Sequence, residues 1–344
     1  MIKSHYKVLL ILFCLVYACK NKGSGVFSNS ISELISIENS FQFYENYDGY
    51  IIKENSITKE KIWEHKKLYN LSIKVLDSGN SIYYTTPNTV VSIDKINGEV
   101  NFIIKENFTG RTYDLLSHNN EIIASSLYGS YSFSKSTGQI LWSLLPSSST
   151  ILGNPKILIN NDTLFVAGNF KPDIKTTLFS FNLNNKSRIS EIDLPKTVVT
   201  NLVLVQNNLI FGAGQSIMER EIFSISKDDL KLNWQLEQNI DHSSRIVPNK
   251  ENIVFFNFKN QVFELDTKSL VIKERYTLPD NYFELLFIND DKLIASNNSS
   301  LVIYPLPNDK KKYFRNIKTA GPWVINNEIY YANKTSIKKL AELK

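Results

Sequence analysis

The stretch Ser132-Phe133-Ser134-Lys135-Ser136-Thr137-Gly138-Gln139-Ile140-Leu141-Trp142 runs from one alternating segment through a Gly-bearing turn into a second, whose Trp lies four residues after the Gly. Alternation of period two marks strands, and Gly supplies the positive φ such a turn needs. The same order of residues occurs earlier in the chain as Ser92-Ile93-Asp94-Lys95-Ile96-Asn97-Gly98-Glu99-Val100-Asn101-Phe102. Weaker copies end at Trp63, Ser190, Trp234, Glu274 and Tyr313, two of them without the aromatic residue. A unit that recurs in this way governs the whole fold, because each copy buries its apolar faces only by stacking on its neighbours.

Working outward, seven hairpins accompany these units, each an apolar run, a short Asn/Asp-rich turn and a second apolar run. Their turns fall at Gly79-Asn80, Asn119-Asn120, Asn160-Asn161, Asn207-Asn208, Asn249 to Asn252, Asp290-Asp291 and Asn326-Asn327. The spacing, roughly 36–47 residues, is that of a four-stranded blade. Asn tolerates positive φ and suits tight hairpin turns.

The Gly-x-x-x-Trp spacing resembles the repeat of quinoprotein-type (PQQ-like) β-propellers, in which the Trp of one blade docks on the next. The resemblance covers residues 45–344 and implies an all-β propeller of four-stranded blades. Seven blades are favoured, with Ser56 to Glu64 supplying the outer strand that the last hairpin lacks and so closing the ring. Eight follow if Phe41 to Ile52 forms a unit of its own.

The chain has 344 residues, is 42% hydrophobic and carries 39 Lys and Arg against 34 Asp and Glu. This balance excludes a disordered chain or one that spans a membrane many times, and it lacks the basic footprint of a nucleic-acid binder. At the N-terminus, Lys3 and Lys7 precede the apolar run Val8 to Tyr17, which is too short to cross a bilayer as a helix and long enough for a signal peptide. Val16-Tyr17-Ala18-Cys19 follows, and it resembles a bacterial lipobox. Residues 1–18 then read as a lipoprotein signal peptide, Cys19 as the acylated first residue, and 19–44 as a tether and N-terminal extension. Cleavage leaves a single cysteine, so the mature chain forms no internal disulfide and depends on core burial.

The search for chemistry returns little. His65, His118 and His242 are isolated from one another in sequence, and Gly212-Ala213-Gly214 does not continue into a dinucleotide fingerprint. No metal site, cofactor or catalytic residue is expected, and a quinone-dependent enzyme is disfavoured because the vicinal disulfide of the resembling dehydrogenases cannot form. Two neighbouring units have lengthened loops, Gly168 to Thr177 and Gly212 to Glu221, on the face where propeller ligands usually sit. Phe170, Lys171, Asp173, Gln215, Met218 and Arg220 are the partner-binding candidates, since interfaces favour aromatic, Met and Arg side chains. In size, lipobox and repeat type the chain is similar to the propeller lipoproteins of the outer-membrane β-barrel assembly machinery. That resemblance implies a monomeric, non-enzymatic, protein-binding scaffold of the bacterial cell envelope, anchored to the outer membrane on its periplasmic or surface side. An exported polysaccharide-binding or inhibitor propeller is the alternative.

Overall fold

The computed structural model describes residues 31–339, apart from 70–73, 88, 106–111, 127–128, 145–154, 172–175, 215–219, 239, 241–245, 258–260, 278–283, 290–291, 297–300, 306–311, 315–322, 326–327 and 334–335. Within these residues the chain forms eight antiparallel sheets, over 31–66, 75–104, 112–144, 156–194, 197–237, 247–277, 284–314 and 323–339. Seven are meanders in which successive strands pair in chain order; in the fifth, Thr197–Val198 and Val203–Val205 both pair with Asn208–Gly214. The first strands of the sheets meet one another around a ring, and Ile31–Glu38 of the first sheet meets Trp323–Ile325 of the last. The architecture is a β-propeller whose blades stack face to face.

Two expectations are corrected by this arrangement. Residues 31–44, read as part of an extension, form Ile31–Glu38 and most of Phe41–Asn46, the two inner strands of the first blade. Lys61–Lys66 is therefore the outer strand of that blade, paired with Tyr50–Asn55, and does not complete the last one. The count is eight, and the last blade has three strands among the described residues. The ring closes by packing: Ile31, Leu34, Tyr44 and Ile52 of the first blade form one buried cluster with Ala332 and Ile337 of the last.

The inner hairpin turns carry a positive φ at their first residue, which is Asn39, Gly79, Asn119, Asn161, Gln206 or Lys250. The repeat turn is more regular still. Its fifth residue has positive φ in all six blades where it is described, at Lys59, Gly98, Gly138, Lys186, Leu230 and Leu270. Its first residue caps the turn: the Asp94 carboxylate accepts the Ile96 and Asn97 N–H, and Asn55, Ser134, Asn182 and Asp266 do the same in their blades. This local capping holds a residue as ill suited to positive φ as Leu270 in place.

Where Gly occupies that position, an aromatic ring of the preceding blade rests on it. A Cβ added to Gly98 would lie 2.8 Å from the Trp63 ring, and one added to Gly138 would lie 2.5 Å from the Phe102 ring. The next junction replaces Gly with Lys186 and is built differently. Trp142 packs against Phe181 with ring centroids 5.0 Å apart, and the Lys186 ammonium stands 5.9 Å over the indole. Glu121 ties these together, accepting from Lys186, from the Ser132 hydroxyl and from the Trp142 indole N–H at 2.9 Å. Burial alone would raise the Glu121 carboxyl, but those hydrogen bonds outweigh it and hold it below its ordinary 4.5. A carboxyl depressed in the folded state stabilises fully above its unfolded pKa and loses that contribution as pH falls through the native one. Glu121→Gln is therefore expected to lower stability at neutral pH and to flatten its decline below pH about 4.5, as read from urea midpoints against pH.

Candidate functional site

The propeller has two faces. One carries the inner hairpin turns and the repeat turns; the other carries the turns between second and third strands and the connections from blade to blade. Of the six residues proposed for partner binding, Phe170, Lys171 and Arg220 are described, and they belong to the second face. Phe170 follows Thr163–Gly168 but folds inward. It is 5% exposed, lies edge-on to Phe179 at 4.8 Å, and belongs to the buried cluster formed by Ile123 of the third blade with Leu164 and Val166 of the fourth. Arg220 opens Arg220–Ser226, is 6% exposed, and donates from Nη1 to the Ile240 carbonyl at 2.7 Å. Neither is a surface anchor, because an aromatic ring or guanidinium at the root of a loop gains more from the adjacent junction than from solvent. Lys171 is paired on the surface with Asp193 at 2.7 Å and Glu191 at 3.2 Å. Asp193 raises the Lys171 ammonium, and Lys171 lowers the Asp193 carboxyl. Asp173, Gln215 and Met218 lie outside the described residues, as do Cys19 and His242.

The remaining histidines serve blade junctions. His65 Nδ1 is 3.1 Å from the Gly98 carbonyl and Nε2 is 3.1 Å from the Tyr84 hydroxyl, so the ring joins the first blade to the second. Burial lowers the His65 pKa and pushes Tyr84 up to about 12. His118 stands 3.3 Å from Asp162 across the next-but-one junction. Among the described residues, no group of three or more His, Cys, Asp or Glu is placed to hold a metal ion.

The first face shows a feature that the sequence reading passed over. The third residue of the repeat turn points to solvent, and in the third to sixth blades it is Ser136, Asn184, Asp228 or Lys268. In the first two blades it is Ile57 and Ile96, exposed by 78% and 73%. The two turns are fixed to each other: Lys53 Nζ and Trp63 Nε1 both donate to the Lys95 carbonyl, at 3.0 and 3.2 Å, and Trp63 lies on Gly98. Ile62 and Val100, near the start of the adjoining outer strands, are exposed as well. Nothing in the turn requires a branched apolar side chain there, and burying one is worth about 1.5–3 kcal/mol. The geometry offers a preformed apolar edge, rimmed by the Lys61–Glu64 ion pair at 2.6 Å and by Lys59, Glu60 and Glu99.

Comparison with solved structures agrees with the sheet topology. The fold is that of known β-propeller-like chains. The computationally designed Ika8 protein matches with a TM-score of 0.69 and 10% identity, over 90% of this chain and 95% of that one. Sqt1 from Saccharomyces cerevisiae matches at 0.66 and 11%, over 91% and 96%. BamB from Moraxella catarrhalis matches at 0.60 and 13%, over 76% and 80%. At such identities the likeness is one of fold. No protein-family model matches the sequence, and no curated protein matches it either.

Proposed function

We propose that the protein is a non-enzymatic scaffold of the bacterial cell envelope, anchored by acylated Cys19, that binds a protein partner through the edge bearing Ile57 and Ile96. The observation that carries the reading is the pair of exposed isoleucines at one turn position of adjacent blades, where the third to sixth blades hold polar residues. Interfaces draw their energy from a few apolar anchors inside a polar rim, and these residues supply that arrangement. The fold likeness to BamB and the lipobox-like Val16-Tyr17-Ala18-Cys19 support placing the scaffold in the envelope, with the chain acting as a monomer on the outer membrane. The loops bearing Phe170 and Arg220 are set aside as the main surface because those two side chains are engaged inside the molecule.

The test is Ile57→Ser with Ile96→Ser. Both residues are exposed, so folding stability should change by no more than about 0.5 kcal/mol. Capture of an envelope protein from detergent-solubilised membranes should weaken by more than about 1 kcal/mol. Unchanged capture by the folded double variant would move the site elsewhere. Retention of glycan with no protein would replace the scaffold reading.

A further inference from the structure

The polypeptide enters the propeller at the face opposite Ile57 and Ile96. Ile31 pairs with Asn46, so the chain arrives beside the turn 47–49 at the inner edge of the first blade. The connection leaving that blade returns to the same place. The Lys67 N–H donates to the Gly49 carbonyl at 3.0 Å, the Lys66 ammonium donates to the Asp48 carbonyl, and the Lys67 ammonium pairs with buried Glu45. These bonds hold three large side chains at the surface near the point of entry. Tyr47, Leu68 and Tyr69 are each more than half exposed. Lys66 is exposed beside them and lies 4.2 Å over the Tyr50 ring.

We infer that this patch faces and touches the bilayer that holds the lipid on Cys19, which leaves the Ile57–Ile96 face turned away from the membrane. The inference rests on the acylation of Cys19 proposed above. Eleven residues, or twelve Cα-to-Cα steps, separate Cys19 from Ile31, so the extended reach is at most about 40 Å. Turning the opposite face to the membrane would take the chain about 15 Å across a blade and about 20 Å down its strands. That path consumes about 35 Å of the reach and leaves about 5 Å for the lipid to enter the bilayer. With the entry face toward the membrane, none of that path is needed. The patch has the composition of an interfacial contact: tyrosines sit at headgroup level, leucine reaches the acyl boundary, and lysine extends its ammonium into water or phosphate.

The experiment is amide hydrogen exchange on the acylated full-length protein in phosphatidylethanolamine–phosphatidylglycerol vesicles, compared with Cys19→Ser protein mixed with the same vesicles. Flotation establishes whether the chain is anchored. Exchange at 47–49 and 67–69 should slow several-fold on anchoring, while 56–59 and 95–98 should not change. A protein that floats without slowing at 47–49 and 67–69, or that slows at 56–59 and 95–98, overturns the facing and leaves the anchor standing. If the native chain does not float, the anchor reading fails. Protein coupled through the Cys19 thiol to a maleimide lipid then decides the facing by the same comparison.

Discussion

Gly138→Ala is expected to destabilise the domain by about 2–4 kcal/mol, from the cost of positive φ for an L-residue together with overpacking. The backbone there has φ +71°, and the new methyl would stand 2.5 Å from the Phe102 ring. That ring also lies edge-on to Phe133 at 6.4 Å and 6.3 Å from Tyr83, so it cannot withdraw without loosening the cluster between the second and third blades. Gly79→Ala is the control. Its φ is +63° and an added Cβ meets nothing within 4 Å, so only the conformational cost of about 1–2 kcal/mol applies. Urea midpoints of the two variants separate docking from backbone strain. Equal losses would show that ring-on-glycine contact contributes nothing to the junction.

Phe170→Ala should cost about 3–5 kcal/mol, the range for removing a fully buried aromatic side chain. The ring is edge-on to Phe179 and fills the interface of the third and fourth blades, so its loss leaves a cavity that two separate sheets would have to close. Lys171→Ala, one residue on, removes surface ion pairs to Asp193 and Glu191 and should change stability by less than about 1 kcal/mol. Thermal melts of the two variants check both values. A Phe170→Ala protein that melts with the wild type would return that residue to the surface.

The repeat was legible because its chemistry is local. A capping Asp, Asn or Ser, a positive φ four residues later and an aromatic four beyond that can be read off one copy and followed to the others. Leu230 and Leu270 make two of these copies weaker in sequence, since the backbone bonds of their N–H groups to Ser226 and Asp266 rather than residue preference sustain their positive φ. The first blade was partly missed although its signal was present. Leu34-Ile35-Ser36-Ile37, Asn39-Ser40 and Phe41-Gln42-Phe43-Tyr44 form a hairpin of the same pattern as the other seven. It follows closely on the lipobox-like stretch, and without it the outer strand Lys61–Lys66 lacks a blade of its own. Ring closure itself was not legible, because Ile31 and Ile337 meet through side-chain packing across most of the chain length, which no local pattern encodes.

The exposure of the candidate site residues was legible only in part, for a related reason. Phe170 and Arg220 stand at the roots of lengthened loops, and loop membership does not confer exposure. Their burial depends on Phe179 and on the Ile240 carbonyl, partners supplied by the third dimension. Ile57 and Ile96 were available to a column-by-column comparison of the repeats, because the capped turn projects its third residue outward wherever the motif occurs. The comparison was made on the residues that define the motif, and this position is not one of them.

Site-specific photo-crosslinking in intact envelopes tests the central claim most directly, with a photoreactive amino acid placed at position 96 in one protein and at position 191 in another. Position 96 sits on the proposed partner edge, and position 191 is exposed on the outer strand Ser187–Leu194. A discrete adduct with an envelope protein from position 96, and none from 191, is the predicted result. Adducts from position 191 alone, or none from position 96 in a correctly folded protein, would contradict the assignment of that edge to a protein partner.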